Sequence, residues 1–232
     1  MILRREENNM KDELIVEKRP KSTISEDIRT IRTNLEFSSV DEKMKTLMVT
    51  SSVPGEGKSF ISSNLSVAFA QNDKKVLLID CDLRLGRLHK MFEISNKRGL
   101  SNLIANIDEE SEYEKYIQKT DIKNLYIISR GTIPPNPSEL LSSSRFNNIL
   151  KDLEKVFDYI ILDAVPVNGL SDSLALSKIV DKTIVVCSHG YTDINDLENT
   201  KKALQNVGAK VAGVVINKMP KSRSKYGSYY YD

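Results

Sequence analysis

The sequence predicts an α/β fold in which helices cover both faces of a parallel sheet. Six short runs rich in Ile, Val and Leu recur along the chain, helical segments separate them, and polar clusters follow several of the runs. Strands that are buried on both faces read as nearly continuous apolar runs, which is the pattern of a parallel sheet. The chain has 232 residues, of which 40% are hydrophobic, enough for one large domain.

Composition excludes several classes of protein. The formal charge of +2 is close to balance and gives no indication of nucleic-acid binding. The chain lacks both a long uncharged apolar run and a signal-peptide core, so we expect a cytoplasmic protein. Cys81 and Cys187 lie in strand-like runs and are expected to be small buried core residues. His89 and His189 are the only histidines, so a zinc site is not expected.

The chain divides into an N-terminal extension (1–24), a main domain (25–218) and a tyrosine-rich tail (219–232). The extension is polar and is expected to be mobile, with room for one edge strand at Leu14-Ile-Val16. The first helix of the domain is expected to start at Ser25 and to end near Ser38.

The remaining elements follow from the apolar periodicity of the sequence. Strands are expected at 46–49, 75–79, 125–128, 158–162, 183–187 and 210–216. Helices are expected at 60–70, 99–106, 110–118, 145–157, 170–178 and 192–206, and a proline loop at 131–141. In the segment 145–157 the side chains expected to face inward are Phe146, Ile149, Leu150, Leu153 and Val156.

A glycine-rich segment, Thr50-Ser-Ser-Val-Pro-Gly-Glu-Gly-Lys-Ser59, connects the first strand to the next helix. Such a turn directs backbone N–H groups at a phosphate, while its lysine reaches the β- and γ-phosphates and its serine ligates Mg²⁺. The strict pattern has glycine where this chain has Ser52, so the segment is a variant P-loop. The expected nucleotide contacts are Pro54, Gly55, Glu56, Gly57, Lys58, Ser59 and Phe60.

Carboxylates follow two other predicted strands, and parallel strands end at one edge of a sheet, beside the P-loop. Asp163 fits an acid that holds Mg²⁺ opposite Ser59, although an aspartate at such a junction can also cap a helix. Asp80 and Asp82 can complete the metal shell and orient or deprotonate an attacking hydroxyl. Arg84 either compensates this charge or forms a routine surface ion pair.

The acceptor decides between two activities, because transfer to water makes an ATPase and transfer to a hydroxyl makes a kinase. Four of the nine tyrosines fall in the last seven residues: Tyr226, Tyr229, Tyr230 and Tyr231. They form either a disordered, adhesive tail without a chemical role or a set of phenols that accept the phosphoryl group, most easily at the site of a neighbouring molecule.

Five features, in this order, resemble the bacterial tyrosine kinases. They are Ser51-x-x-Pro-Gly-Glu-Gly-Lys-Ser59, Asp80-x-Asp-x-Arg84, Pro134-Pro-Asn-Pro-Ser-Glu-Leu-Leu141, Asp163-x-x-Pro166 and the tyrosine tail. The chain is similar to the free-standing cytoplasmic form of Gram-positive bacteria, which regulates capsular and exopolysaccharide synthesis. The resemblance covers roughly residues 17–232.

The resemblance implies a P-loop NTPase-type fold and an ATP- and Mg²⁺-dependent protein-tyrosine kinase. It implies catalytic roles for Lys58, Asp80 and Asp82, metal ligation by Ser59, Asp82 and Asp163, and adenine contact by Asn217. The stripe Glu26, Arg29 and Arg32, otherwise an ordinary solvated helix face, matches the ring-forming motif of the family. The tail tyrosines would be presented to neighbouring subunits of that ring.

The implied partners are a membrane-embedded polysaccharide co-polymerase, which would hold the kinase at the inner face of the membrane, and a cognate tyrosine phosphatase. The chain departs from the family at Asp163-Ala-Val-Pro166, where Asp-Thr-Pro-Pro is usual. The alternative is a partition or septum-type P-loop ATPase switch, but that branch carries lysine where this chain has Val53. A non-catalytic, nucleotide-gated scaffold is a third reading, disfavoured by the intact lysine and carboxylates.

Overall fold

A seven-stranded sheet forms the centre of the molecule in the computed structural model, which describes residues 13–38, 44–106 and 113–220. The strands are β1 (Thr46–Ser51), β2 (Val76–Asp80), β3 (Gln118–Lys119), β4 (Leu125–Ile128), β5 (Tyr159–Asp163), β6 (Lys182–Ser188) and β7 (Val211–Asn217). Their order across the sheet is β3-β4-β2-β5-β1-β6-β7, and only the β3–β4 pair is antiparallel. The predicted fold class is confirmed.

Helices cover both faces of this sheet. They are α1 (Ile15–Lys18), α2 (Thr23–Phe37), α3 (Lys58–Ala70), α4 (Leu88–Met91), α5 (Leu100–Ala105), α6 (Pro137–Leu141), α7 (Ser144–Leu153), α8 (Asp172–Ser177) and α9 (Ile194–Asn206). One core packs around Phe146 of α7 and the other around Phe69 of α3. Both cysteines are free and buried, as expected.

Within the described ranges, no helix combines the length and the apolar character needed to cross a lipid bilayer.

The register of the central strands determines which polar residues meet. Val49 of β1 lies opposite Asp163 of β5, and Asp80 of β2 also lies opposite Asp163. The P-loop follows β1 directly, because that strand ends at Ser51. The expected meeting of the P-loop with the two acidic strand ends is therefore confirmed.

The described part of the N-terminal extension differs from the expected mobile lead-in with an edge strand. Residues Ile15–Lys18 form one helical turn, and Val16 is fully buried against α3. Asn64 of α3 accepts a hydrogen bond from the Val16 N–H (3.0 Å) and donates one to the Glu13 carbonyl (2.8 Å). An edge strand would take its backbone partners from the sheet, whereas here a helix side chain supplies them.

Three local expectations were also wrong. Helix α2 begins at Thr23, because the Ser22 hydroxyl caps it by accepting from the Ser25 N–H. In the segment 110–118, the described residues form a 3₁₀ turn (Tyr113–Lys115) and then β3 instead of an α-helix. Helix α7 ends at Leu153, so Val156 lies beyond the helix. It is 54% exposed instead of facing inward as expected.

Candidate active site

The P-loop places glycine at its two left-handed positions. Gly55 has φ +85° and Gly57 has φ +98°, a backbone region that side chains with a Cβ avoid. A methyl group on Gly57 would lie only 2.1 Å from Asn217 Nδ2. Helix α3 begins at Lys58, and the N–H groups of a first helical turn have no carbonyl partner within the helix. The loop therefore offers an anion site at the end of β1.

Lys58 lies between two carboxylates at this edge. Its Nζ is 3.4 Å from Asp82 Oδ2 and 3.7 Å from Asp163 Oδ1. Burial works to lower the pKa of Lys58, but the negative charges of Asp163, Asp82 and Asp80 outweigh it, so the pKa is raised. The lysine is thus held as a cation at the point where phosphates would enter.

The two acids that follow β2 have different surroundings. Both oxygens of Asp80 accept backbone N–H groups, from Asp82 (3.3 Å) and from Leu88 (3.1 Å). Burial, with the negative charge of Asp163, raises the pKa of Asp80 to about 8. Asp82 accepts the Leu85 N–H (2.9 Å) with one oxygen and turns the other towards Lys58. Asp80 therefore also shapes the loop that aims Asp82.

Asp163 fits a metal ligand. It is fully buried, and neither carboxylate oxygen has a hydrogen-bond partner within the described part of the chain. Burial raises the pKa of Asp163, although the positive charge of Lys58 works in the other direction. A buried carboxylate without bonded partners is costly, so a cation is the chemistry that suits it. With Asp82 and the Ser59 hydroxyl it forms a set of oxygen donors of the kind that Mg²⁺ prefers.

Arg84 forms an ion pair, but not an ordinary surface one. Its Nη2 is 3.4 Å from Asp172, which is fully buried at the start of α8. The Ser138 hydroxyl also donates to Asp172, and Arg130 donates to the Arg84 carbonyl at 2.7 Å. These contacts tie the loop after β2 to the proline loop. Sequence reasoning missed Asp172, because an aspartate at a helix start normally indicates only a cap.

Asn217 lies against the P-loop. Its Nδ2 donates to the Glu56 carbonyl (2.9 Å), and its Oδ1 accepts the N–H of Lys218 (2.8 Å). Both ends of the amide therefore make hydrogen bonds within the protein. The adenine contact expected for Asn217 stays a prediction. Phe60, in the first turn of α3, is half-buried and packs against the adjoining core.

The stripe on α2 makes mixed contacts. Arg29 pairs with Glu26 and donates to the Pro20 carbonyl (2.8 Å). Arg32 turns inward instead, because it donates to the Ala68 carbonyl of α3 (3.0 Å) and lies 3.7 Å from Glu36. The candidate acceptors Tyr226, Tyr229, Tyr230 and Tyr231 lie outside the described residues.

Comparison with known proteins agrees with this site. The family model described as an AAA domain matches residues 44–214. The tyrosine-protein kinase YwqD of Bacillus subtilis (strain 168) is 40% identical over 223 residues, covering 96% of this chain and 93% of YwqD.

The other matches are of two kinds: a kinase above 30% identity, and a more distant protein that shares only the fold. The tyrosine-protein kinase etk of Escherichia coli (strain K12) is 34% identical over 90% of this chain, which spans 28% of etk. The solved etk kinase domain superposes with a TM-score of 0.85 over 94% of this chain and 84% of that structure, at 33% identity. The cell-division ATPase MinD of Pyrococcus furiosus shares the fold alone, with a TM-score of 0.63 over 77% of this chain and 74% of that structure, at 23% identity. The site and the match to YwqD, which spans 93% of that protein, show that this chain belongs to the bacterial tyrosine kinases.

Proposed function

We propose that this kinase transfers the γ-phosphoryl group of ATP to tyrosines of its own C-terminal segment in a neighbouring subunit. The acceptors are Tyr226, Tyr229, Tyr230 and Tyr231. The observation that carries the proposal is the position of Lys58, within 3.7 Å of both Asp82 and Asp163 at the mouth of the P-loop.

Phosphoryl transfer requires the protein mainly to position the reactants and to neutralise charge. In our proposal the loop from Pro54 to Phe60 binds the phosphates through its backbone N–H groups. Lys58 exchanges its carboxylate partners for the β- and γ-phosphates, which carry more negative charge. The same cation then offsets the charge that develops on the transferred group.

Ser59, Asp82 and Asp163 would hold Mg²⁺, which would neutralise negative charge on the phosphates when bound. The tyrosine hydroxyl has an ordinary pKa of about 10, so its proton must be accepted as the new bond forms. The carboxylate pair Asp80 and Asp82 accepts it in our proposal. The alanine at position 164 removes a hydroxyl that the usual family sequence places beside Asp163, which we expect to lower the rate rather than change the reaction.

The test is phosphotyrosine formation by purified protein with ATP and Mg²⁺. Lys58→Met should reduce it by about 100-fold or more, because the shape of the side chain is kept while its charge is lost. Lys201→Met, on the exposed face of α9, is the matched control and should keep wild-type levels. Normal phosphotyrosine in Lys58→Met would refute the mechanism.

The rival reading is a P-loop ATPase switch, which the fold shared with MinD supports only at the level of architecture. It predicts ATP turnover without phosphotyrosine in the same assay. Val53 stands where the partition branch carries lysine, which weighs against it.

We further propose that the kinase works as a homo-oligomeric ring through Glu26, Arg29 and Arg32, and controls capsular or exopolysaccharide synthesis. The etk relative is more than three times as long as the matched region. We propose that the activator of this kinase is a membrane-embedded co-polymerase. Its cytoplasmic tail would keep the kinase at the inner membrane face and should raise phosphotyrosine when added to the assay. A cognate tyrosine phosphatase would reverse the modification.

A further inference from the structure

Glu56 is a carboxyl group inside the P-loop, and the steps above give it no chemical role. Its side chain is fully buried, in a loop that must hold a polyphosphate. A carboxylate at that position repels phosphates and is costly to bury unless it is hydrogen-bonded. Its contacts therefore show what offsets this cost.

Two donors engage the Glu56 carboxylate. Oε2 accepts the N–H of Val53 (2.9 Å), and Oε1 accepts the hydroxyl of Thr192, in the turn between β6 and α9. The Thr192 oxygen itself accepts the N–H of Ser188 (2.7 Å). Since that N–H uses an acceptor site of the hydroxyl, the single hydroxyl proton is directed at Glu56. The carboxylate thus joins the start of the P-loop to the end of β6.

Side chains from the turn after β6 and from the end of β7 also hold three successive carbonyls of the loop. Tyr191 donates to the carbonyl of Pro54 (3.2 Å), Lys218 to that of Gly55 (2.7 Å) and Asn217 to that of Glu56 (2.9 Å). In a trans peptide the C=O and the following N–H point in opposite directions, and the described residues contain no cis peptide. Fixing these carbonyls therefore turns the N–H groups of residues 55–57 away from the β6–β7 side.

We propose that Glu56 and Thr192 are positioning residues for phosphoryl transfer: their hydrogen bond fixes the P-loop so that the N–H groups of residues 55–57 face the polyphosphate of the nucleotide. Neither side chain touches the reacting atoms. The inference rests on ATP being the phosphoryl donor, and it makes the turn after β6 a determinant of nucleotide affinity.

The chain offers a closely matched control for Thr192. Thr46, at the amino end of β1, also donates its hydroxyl to a carboxylate, Asp181 Oδ2 (3.0 Å), and also accepts a backbone N–H, that of Asp181 (2.8 Å). Thr192→Val and Thr46→Val therefore delete the same pair of bonds, one beside the P-loop and one at the opposite edge of the sheet. Thr192→Ser keeps the hydroxyl, and Glu56→Gln removes the carboxylate without changing its size.

The measurements are the dissociation constants of ADP and of pyrophosphate, each with Mg²⁺, by calorimetry, and the melting temperature of each variant. Thr192→Val and Glu56→Gln should weaken ADP and pyrophosphate alike, on the order of tenfold. Thr192→Ser should stay within about twofold of wild type, and so should Thr46→Val, whatever its melting temperature.

Unchanged ADP affinity in Thr192→Val overturns the proposal. So does an equal loss in Thr46→Val, which would mean that lost stability explains the effect. Weakened ADP with unchanged pyrophosphate would place the effect on the base rather than on the phosphates, and also overturns it. Because ligand binding is measured without transfer, absence of phosphotyrosine would refute the kinase mechanism and leave this test readable.

Discussion

At the scale of single residues, the site concentrates negative charge that the fold does not neutralise on its own. Asp80 and Asp163 are paired across adjacent strands and fully buried, and Lys58 is the cation nearest to them among the charged contacts described. Burial raises the pKa of both carboxyls, and negative charge adds to this effect, that of Asp163 at Asp80 and that of Asp82 at Asp163. Such arrangements favour whatever brings positive charge into the site, which in our proposal is the metal that accompanies ATP.

The raised pKa values predict that the stability of the protein depends on pH in the absence of nucleotide and metal. The pKa of Asp80 is raised from 3.8 to about 8, so the folded state binds the proton more tightly than the unfolded chain. Its contribution is complete at low pH and is lost as the pH rises towards about 8. In chelator-treated protein, the free energy of unfolding should fall between about pH 5 and about pH 8, and Asp80→Asn should flatten that fall.

The flattening should be partial, because Asp163 keeps a raised pKa of its own. The control is Asp152→Asn, a half-exposed carboxylate whose pKa is lowered, mainly by its hydrogen bond from Lys155. It should keep the wild-type slope over this pH range. Urea titrations at several pH values measure the slopes, and identical slopes in wild type and Asp80→Asn would contradict the prediction.

At the scale of elements, apolar periodicity predicted the strands and helices whose side chains pack in the core. The six long strands and most helices lie within a few residues of their expected positions, because each must bury apolar side chains against the sheet. β3 has two residues, too few for a pattern, and α1 is a single turn held by Asn64. The site follows the same rule. Asp80 and Asp163 were predicted because they end strands that the sequence pattern shows. The Glu56–Thr192 and Arg84–Asp172 contacts join residues far apart in the sequence, so no local pattern predicts them.

The arginines of α2 should separate by function, because one faces outward and the other inward. Arg32 donates to the Ala68 carbonyl near the end of α3, whereas the polar contacts of Arg29 within the described residues are with the exposed Glu26 and the Pro20 carbonyl. Arg32→Ala should therefore lower the free energy of unfolding by about 1 kcal/mol. Arg29→Ala should change it by less than about 0.5 kcal/mol, yet reduce the oligomer mass if the stripe forms the ring.

Light scattering after size-exclusion chromatography measures the mass, and denaturant unfolding measures the stability. Asp27→Ala, on an exposed position of the same helix, is the control and should change neither quantity. If Arg29→Ala keeps the wild-type mass, the stripe is a solvated helix face. If Arg32→Ala is as stable as wild type, the contact with α3 contributes nothing measurable.

At the scale of the whole molecule, the fold brings the C-terminal end of the described chain to the active edge of the sheet. β7 is the last strand among the described residues, and Asn217 and Lys218 at its end both contact the P-loop. The tyrosine-rich segment follows these two residues in the sequence. The residues directly before the candidate acceptor segment are therefore in contact with the P-loop.

Transfer between subunits, rather than within one, is the prediction that belongs to this scale. A kinase in which the four tail tyrosines are replaced by phenylalanine keeps the catalytic residues but lacks the acceptors. Lys58→Met keeps the acceptors but lacks the lysine. Mixed together with ATP and Mg²⁺, the pair should form phosphotyrosine on the Lys58→Met chain, which a size tag distinguishes on a gel.

Each variant alone should remain unmodified, which controls for residual activity. The initial rate per molecule of wild-type protein should also rise with its concentration below the range where the ring is fully assembled, since a bimolecular step must precede transfer. If wild type becomes modified at a rate per molecule that is independent of concentration, and the mixture stays unmodified, each subunit phosphorylates its own tail. In that case the contacts of Asn217 and Lys218 with the P-loop would mark the route by which a subunit's own tail reaches its own site.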